Sequence, residues 1–321
     1  MKIGFYIDAR IGDSVVVLPA LRALRQSYPQ SKLYVFTNAI GHNLYSPLPW
    51  IDSVMIFESI EQVSSLELDY LISSNCDQKT IQKLKNSTAR KILTYLKPYN
   101  LLDFRIKSTF TSYRCKPQSA KQNALDLVNL IIPKLRLEEI QGYQLQSLPK
   151  HKEKIDHFLA QTPSKPRIML NPFGFAAKHN LTLKDYEQIA QKIVQDSAII
   201  LPTFEGREKL IQQSFSQELL NHPHFFIFKN DSDLLNLVAL IAQIDLLISP
   251  STGNIHIADN LGIPSIALFS QKDSIAWGGQ MHYVLLDKLS PSEAIEQSLR
   301  LVDELLRTAA RTLRGTATFD R

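Results

Sequence analysis

Short apolar segments alternate along this chain with longer segments in which apolar residues recur every three or four positions. The short segments have the length of β-strands, and the longer ones have the period of amphipathic helices. The predicted strands are KIGFYI, KLYVFT, SVMIF, DYLISS and KILTYL in the first half, and RIMLNP, SAIILP, FFIFK, DLLIS and SIALFS in the second. Strands that alternate with helices predict parallel sheets with crossover helices.

Several predicted helices carry start and stop signals. The segment GDSVVVLPALRALRQSYP is predicted as one helix that stops before Pro29, and GREKLIQQSFSQELL as another. The helix in LTLKDYEQIAQKIV should be capped by Thr182, with Asp185 three residues further on. Pro291 begins the last predicted helix, and the residues GTATFDR after it are expected to be unstructured.

The alternating pattern occurs twice, which indicates two domains. The chain has 321 residues, and about 150 residues is an ordinary domain size. The polar, lysine-rich passage SLPKHKEKIDHFLAQTPSKP is interpreted as the junction, which gives domains 1–150 and 151–321. We expect an α/β protein with two Rossmann-like domains facing each other across a cleft. An arrangement in which the last helix packs back on the first domain stays open.

Composition and short motifs narrow the class of protein. A hydrophobic content of 44% and a charged content of 21% are typical of globular proteins. No apolar run approaches the roughly 18 residues that cross a membrane, and the N-terminus lacks the pattern of a signal peptide, so a cytoplasmic protein is expected.

Cys76 and Cys115 have no metal-binding spacing and are expected to be free thiols. The chain has no GxGxxG, GxxxxGK[ST] or GxSxG motif, which argues against a nicotinamide dehydrogenase and a P-loop enzyme.

The net charge of +5 is concentrated in the first half of the chain. Residues 1–150 contain 19 Lys and Arg against 12 Asp and Glu, whereas residues 151–321 contain 17 against 19. Between residues 79 and 121, eleven basic residues accompany a single acid, Asp103. This pattern predicts a polyanionic partner for the first half. A basic face that is merely solvated is the alternative, and both stay open.

Three turns at predicted carboxyl ends of strands could carry chemistry, because ligands of open α/β sheets bind there. In DARIGDS, Asp13 is either a helix-capping residue or a general base, and the helix N-terminus should lower its pKa. In NPFGFAAKHN, Gly174 opens the backbone and Lys178 supplies either a phosphate contact or an exposed cation. In ISPSTGNIHIADNLGIP, the N–H groups and hydroxyls of residues 251–253 should point beyond the sheet, whereas His256 either faces the same way or packs in the core. A sugar nucleotide fits such a site.

Two of these segments resemble the signatures of one enzyme family. RIGDSVVVLPALRALRQSYP is similar to the N-terminal signature of bacterial lipopolysaccharide heptosyltransferases, in which a Gly-Asp pair precedes a Leu-Pro-Ala-Leu run and a helix ending at Tyr-Pro. ISPSTGNIHIADNLGIPSIALF resembles their second signature, Asp-(Ser/Thr)-Gly-x-x-His-x-Ala followed by Leu-Gly-x-Pro. A looser likeness extends from residue 1 to about residue 300. The resemblance implies an inverting, metal-independent glycosyltransferase of family 9 with GT-B architecture, which uses ADP-heptose as donor and needs no cofactor.

The resemblance also implies roles for individual residues. Asp13 would be the catalytic base, Lys178 would hold the donor diphosphate, and Glu208, in LPTFEGREK, would contact the ribose. The other implied donor-site residues are Gly174, Ser251, Thr252, Gly253 and His256, and the implied acceptor-site residues are Arg10, Gly12, Arg90 and Lys91. The acceptor would be the inner core of lipopolysaccharide, either Kdo-lipid A or heptosylated core. The basic segment would then face this acceptor and the anionic cytoplasmic side of the membrane, and no nucleic acid partner is expected.

The chain departs from the family pattern at two positions. Ser251 stands where the family has Asp, and Phe204 replaces the Gly of the Leu-Pro-x-Gly segment. In the family, the aspartate at this position is expected to contact the transferred heptose. The departures therefore leave open a different nucleotide sugar or acceptor, or a catalytically inactive sugar-nucleotide-binding paralogue.

Overall fold

A computed structural model describes residues 1–110, 118–174 and 179–316, with the side chains of the last helix described to residue 308. The chain forms two compact units. The first comprises Met1–Gln146 with Ile275–Trp277, and the second comprises Ser147–Ser274 and the residues from Gly278 onward. Among the described helices, none combines the length and the apolar character that crossing a bilayer requires.

The first unit is built on a parallel sheet whose strands follow the predicted apolar segments. Its strands are β1 (Lys2–Ile7), β2 (Lys32–Thr37), β3 (Ser53–Ile56), β4 (Tyr70–Ser73), β5 (Lys91–Tyr95) and β6 (Ile106–Thr109). Its helices are α1 (Ile11–Val16), α2 (Leu18–Ser27), α3 (Ala39–Tyr45), α4 (Ile60–Ser64), α5 (Gln78–Lys85) and α6 (Ala120–Val128). The strand order is β3-β2-β1-β4-β5-β6, so the order reverses between β1 and β4.

The second unit repeats this topology. Its strands are β7 (Arg167–Leu170), β8 (Ala198–Thr203), β9 (Phe225–Lys229), β10 (Leu246–Pro250), β11 (Ser265–Phe269) and β12 (His282–Leu285). The helices of this half of the chain are α7 (Pro149–Leu159), α8 (Leu183–Ile193), α9 (Glu208–Ser214), α10 (Gln217–Leu220), α11 (Leu234–Ile241), α12 (Gly253–Leu261), α13 (Gln271–Trp277) and α14 (Pro291–Thr316). The strand order is β12-β11-β10-β7-β8-β9, with its reversal between β7 and β10. Both sheets therefore have the doubly wound Rossmann order, and the predicted α/β class is confirmed.

Buried strands and amphipathic helices form the core of each unit. Ile3 and Phe5 of β1 are fully buried, as the apolar run predicts. In the second unit, α8 packs against α14, and both cover one face of the sheet. The predicted capping box of α8 is present: the Thr182 hydroxyl accepts a hydrogen bond from the Asp185 N–H at 3.3 Å, and the Asp185 carboxylate accepts one from the Thr182 N–H at 2.7 Å.

Two helices that were predicted as continuous are divided in the structure. The first divides into α1 and α2 around Val17, because Pro19 has no N–H to donate to the carbonyl of Val15. The other divides into α9 and α10. Phe215 is extended there, and the hydroxyl of Ser216 caps the new helix by accepting from Leu219 N–H at 3.4 Å.

The lysine-rich passage that was interpreted as a junction is largely helical. It contains α7, whose His151, Ile155 and Leu159 are buried at a spacing of four residues. The helix packs against α11, and His151 Nε2 lies 2.9 Å from Asp233 Oδ2. Only these three side chains are buried in α7, and the residues between them are mostly charged. The helical spacing of its buried positions is therefore weak in the sequence. The edge strands β6 and β12, with sequences IKST and HYVL, were missed because they are short and only partly buried.

Candidate active site

At the point where the strand order reverses in the first sheet, an asparagine side chain joins the two neighbouring loops by hydrogen bonds. Asp8 follows β1 and Asn75 follows β4. The Asp8 N–H donates to Asn75 Oδ1 at 2.9 Å, and Asn75 Nδ2 donates to the Asp8 carbonyl at 2.9 Å. Asn38 Nδ2 donates to Asp8 Oδ1, also at 2.9 Å. These bonds hold the chain that leads from β1 into α1, and they do so at the position where doubly wound sheets bind ligands.

A cavity of about 490 Å³ lies at this edge of the first unit. Its walls come from the carboxyl ends of β1, β4 and β5 and from α1 and α6. They consist of Ile7, Asp8, Ala9, Arg10, Asp13, Val16, Val17, Ser74, Asn75, Tyr95, Ala120, Asn123 and Ala124. Asn123 Oδ1 is buried and has no hydrogen-bond partner among the described residues. A carbonyl oxygen in this state can accept a hydrogen bond from a ligand hydroxyl.

Asp13 is the third residue of α1, and its carboxyl group lines the cavity. The N-cap of this helix is Arg10, which makes no capping hydrogen bond through its side chain. Burial raises the pKa of Asp13 above its ordinary value, and this effect outweighs the lowering by its own backbone N–H and by Arg10. The predicted lowering of this pKa is therefore wrong, because desolvation is stronger here than the helix N-terminus. A carboxylate with a raised pKa is a better proton acceptor.

The backbone next to Asp13 accepts a hydrogen bond from the buried side chain of Tyr45. Tyr45, at the end of α3, is fully buried, and its hydroxyl donates to the carbonyl of Ser14 at 2.7 Å. Ser14 follows Asp13 in α1. The bond therefore positions the first turn of α1 relative to the sheet.

The reversal point of the second sheet is also closed by an asparagine. Asn171 follows β7 and is buried, and its Nδ2 donates to Ser249 Oγ at 2.9 Å and to Thr252 Oγ1 at 3.1 Å. The two hydroxyls lie 3.1 Å apart. The Thr252 hydroxyl is thus engaged within the turn, contrary to the prediction that it points beyond the sheet. The backbone at the start of α12 is held in place by this network.

Other predicted donor-site residues surround the same turn. A side chain at Gly174 would meet Pro250 Cγ at 2.9 Å, so glycine is needed for the loop to approach this turn closely. Ser251 and Gly253 are half-buried at the start of α12. His256 is buried within α12, which agrees with the structural alternative for this residue. Lys178 lies outside the described residues.

Glu208 and Phe204 lie beyond the carboxyl end of β8. Glu208 is the first residue of α9, and its carboxylate forms an ion pair with Lys229 at 3.0 Å. The ring of Phe204 is 36% exposed and packs edge-on against Phe173 with centroids 5.5 Å apart. The guanidinium of Arg207 lies 5.7 Å from the centre of the Phe204 ring. An aromatic and a cation therefore occupy the place where the family pattern has glycine.

The predicted acceptor-site residues divide between the carboxyl ends and the amino ends of the strands of the first sheet. Arg10 lines the cavity, and Gly12 precedes Asp13 in α1. Arg90 and Lys91 lie instead at the amino end of β5, the edge opposite to Asp13, where Lys91 is aligned with the first residue of β4. Arg90 pairs there with Asp69 at 3.4 Å. The structure thus does not bring Arg90 and Lys91 to the cavity.

Sequence reasoning missed several residues that the structure brings to the candidate site. Asp8 directly follows β1 and Asn75 lies two residues beyond β4, so the carboxyl-end rule could have found them. Tyr95, the last residue of β5, carries the same signal. Asn123 lies within α6, and nothing in the local pattern distinguishes it from a solvent-facing asparagine. In the described part of the chain, no group of three or more His, Cys, Asp or Glu side chains is arranged to hold a metal ion.

The fold and the site define a two-domain α/β protein of the GT-B-like class. Residues 103–293 match the model of glycosyltransferase family 9 (heptosyltransferase). The chain therefore belongs to glycosyltransferase family 9, and the resemblance inferred from its two signatures is confirmed.

Individual relatives show the same fold at low sequence identity. The family 9 glycosyl transferase of Veillonella parvula superimposes with a TM-score of 0.79 at 13% identity, covering 96% of this chain and 97% of that one. The E. coli ADP-heptose lps heptosyltransferase II superimposes with a TM-score of 0.76 at 16% identity, covering 95% and 100%. A Haemophilus influenzae protein described as a candidate glycosyltransferase is 21% identical over 290 residues, which cover 83% of this chain and 81% of the relative.

Proposed function

We propose that this glycosyltransferase moves a heptose from ADP-heptose to the inner core of lipopolysaccharide, either Kdo-lipid A or heptosylated core. The observation that carries the proposal is the Asp13 carboxyl group, which lines a cavity at the reversal point of the first sheet and has a pKa raised by burial. Membership in family 9 and the structural likeness to an ADP-heptose lps heptosyltransferase support the choice of donor and acceptor.

The proposed reaction is a single displacement without a metal ion or other cofactor. Asp13 accepts the proton of the acceptor hydroxyl as the hydroxyl oxygen attacks the anomeric carbon of the donor sugar. The bond between that carbon and the diphosphate oxygen breaks, and ADP leaves with the electron pair. Attack opposite to the leaving group inverts the anomeric centre.

The cavity of the first unit is the proposed acceptor site. Its volume of about 490 Å³ falls within the range of about 300–1,000 Å³ that small-molecule sites occupy. Arg10 supplies a cation for the carboxylates or phosphates of an inner-core sugar. The unpaired Asn123 Oδ1 would accept a hydrogen bond from an acceptor hydroxyl. A lipid-linked acceptor also implies that the protein acts at the cytoplasmic face of the membrane.

The turns of the second unit are the proposed donor site. Backbone N–H groups at the start of the nine-residue helix α12 favour a diphosphate, and the Asn171 network holds them in place. Lys178 is proposed to neutralise the leaving diphosphate. Glu208 is proposed to accept hydrogen bonds from the ribose hydroxyls while it stays paired with Lys229.

A second candidate is a family member that uses another nucleotide sugar or acceptor. Two observations favour it: Ser251 replaces the aspartate expected to contact heptose, and the stack of Phe204 with Arg207 occupies the end of β8. An inactive sugar-nucleotide-binding paralogue is the third reading, against which the retained Asp13 and Glu208 argue.

A donor panel separates these candidates. The protein is incubated with extracted lipid A core and one nucleotide sugar at a time, and products are identified by mass spectrometry. Addition of a heptose from ADP-heptose supports the proposal, and transfer of a different sugar supports the second candidate. If donors bind but none reacts, the protein is an inactive paralogue. If no donor binds or reacts, the proposal and the second candidate are both wrong, and a non-enzymatic paralogue that kept the fold is supported.

A further inference from the structure

Four large apolar side chains are exposed around one edge of the first sheet. Leu101 is 66% exposed, Leu102 100%, Phe104 87% and Phe110 67%. The first three lie in the segment that crosses from β5 to the edge strand β6, and Phe110 follows β6 directly. We call these four residues, with Lys91, Lys97, Arg105 and Lys107, the β6 edge face. Scattered apolar side chains are ordinary on a surface, but four of this size along one edge indicate a binding surface.

The charge of the β6 edge face is strongly positive. The Nζ of Lys91 donates to the carbonyl of Phe104 at 3.1 Å, and that of Lys107 donates to the carbonyl of Leu130. Both lysines are exposed, and a neutral backbone carbonyl does not compensate the charge of either one. The single acid of the segment, Asp103, lies 3.7 Å from Arg105 and therefore offsets one cation.

Exposed leucine and phenylalanine beside lysine match the chemistry of a membrane surface. Apolar side chains enter the boundary between headgroups and acyl chains, while lysines remain at the phosphate level. The opposite edge of the same sheet has a different character: Ile56 of β3 is 44% exposed, and Glu58 and Glu61 follow it in the sequence. We propose that the β6 edge face docks on a bilayer that contains anionic lipids.

This docking would also place the cavity beside the membrane. Thr109 of β6 is paired with Tyr95 of β5, and Tyr95 lines the cavity that contains Asp13. Neighbouring strands lie about 4.8 Å apart, so Phe110 enters the membrane close to the cavity wall. Only this placement of a lipid-linked acceptor rests on the proposed function, because the docking follows from exposure and charge alone.

Vesicle co-sedimentation tests the docking with the full chain. One set of vesicles contains phosphatidylcholine alone, and the other contains equal parts of phosphatidylcholine and phosphatidylglycerol. The wild type should bind the anionic vesicles more tightly, and added salt should weaken that binding. The triple variant Leu101→Ser/Leu102→Ser/Phe104→Ser should lose about tenfold in affinity for each apolar side chain removed. Lys107→Gln, which keeps every apolar side chain, should lose about fivefold.

The controls separate docking from folding and from catalysis. Ile56→Ser removes an exposed apolar side chain at the other edge and should bind vesicles as the wild type does. The triple variant should keep the melting temperature of the wild type and its rate with a water-soluble, deacylated acceptor. Failure of the wild type to bind anionic vesicles, as expected for a surface that binds a protein, would overturn the docking. Binding of the triple variant at wild-type affinity would do the same. Vesicle binding without any sugar transfer would instead contradict the proposed function and leave the docking intact.

Discussion

Replacement of Asp13 by asparagine distinguishes a catalytic base from a helix cap. Asparagine keeps the shape of the side chain but cannot accept the proton of an acceptor hydroxyl. The carboxylate of Asp13 interacts with its own backbone N–H and with the charge of Arg10. Among the described residues, the Asp13 side chain has no hydrogen bond to another element, so the substitution removes the proton acceptor without breaking such a bond.

The size of the expected rate loss follows from the role of the group. A positioned general base contributes about 10²–10⁴ in rate. At 1.36 kcal/mol for each tenfold change, this equals about 2.7–5.4 kcal/mol of transition-state stabilisation. Asp13→Asn should lower kcat by this factor and leave the Kd of ADP unchanged, because the donor site is proposed to lie in the second unit.

Asp13→Asn should stabilise the folded protein at neutral pH, whereas the loss of a helix cap would destabilise it. Burial raises the pKa of Asp13 in the folded protein. The protonated carboxyl group makes its full contribution to the stability below the pKa of the unfolded chain, which is near 3.9. This contribution is lost as the pH rises through the higher pKa of the folded protein. At neutral pH the variant should therefore melt at a higher temperature than the wild type, and the difference should vanish below about pH 3.9. Loss of a capping aspartate would instead destabilise the protein by about 1 kcal/mol.

Three measurements decide between the two roles. They are sugar transfer followed by mass spectrometry, ADP binding by calorimetry, and thermal unfolding at neutral and acidic pH. The matched control is Asp156→Asn, which removes the same charge from an exposed position of α7 and should leave transfer unchanged. A rate for Asp13→Asn within tenfold of the wild type would refute the assigned base. A fall in its melting temperature at neutral pH would instead indicate that Asp13 stabilises the start of α1 as a cap.

Three further substitutions test the surroundings of the site. Tyr45→Phe leaves the Ser14 carbonyl without its buried donor, which should cost about 1–3 kcal/mol and lower the melting temperature by several degrees, together with kcat. Asn171→Ala removes the amide that joins two hydroxyls. It should cost a similar amount and weaken donor binding in calorimetry, and an unchanged donor Kd would contradict the proposed role of this network. Asn123→Leu should raise the acceptor KM about three- to tenfold with donor affinity unchanged, and an unaltered acceptor KM would remove Asn123 from the acceptor site.

The fold class and most elements could be predicted from local sequence. Apolar runs located ten of the strands, because a strand buried on both faces needs continuous apolar residues. The capping box of α8 could be predicted from Thr182 and Asp185 alone. The edge strands were missed, since half-exposed positions relax the apolar pattern. Pro19 divides the first helix into α1 and α2, although the helical spacing of apolar residues continues across it.

The sequence by itself determined which chemistry the chain carries: the Gly-Asp pair, the small-residue turn before α12 and the excess of cations between residues 79 and 121. Only the tertiary structure decided how these groups behave. Asn171 and Thr252 are 81 residues apart along the chain, and their hydrogen bond exists only because β7 lies beside β10. The pKa of Asp13 has the opposite direction from the local expectation because distant residues remove water from its carboxyl group. Periodicity, caps and motifs depend on neighbours in sequence, whereas desolvation and bonds between strands depend on neighbours in space.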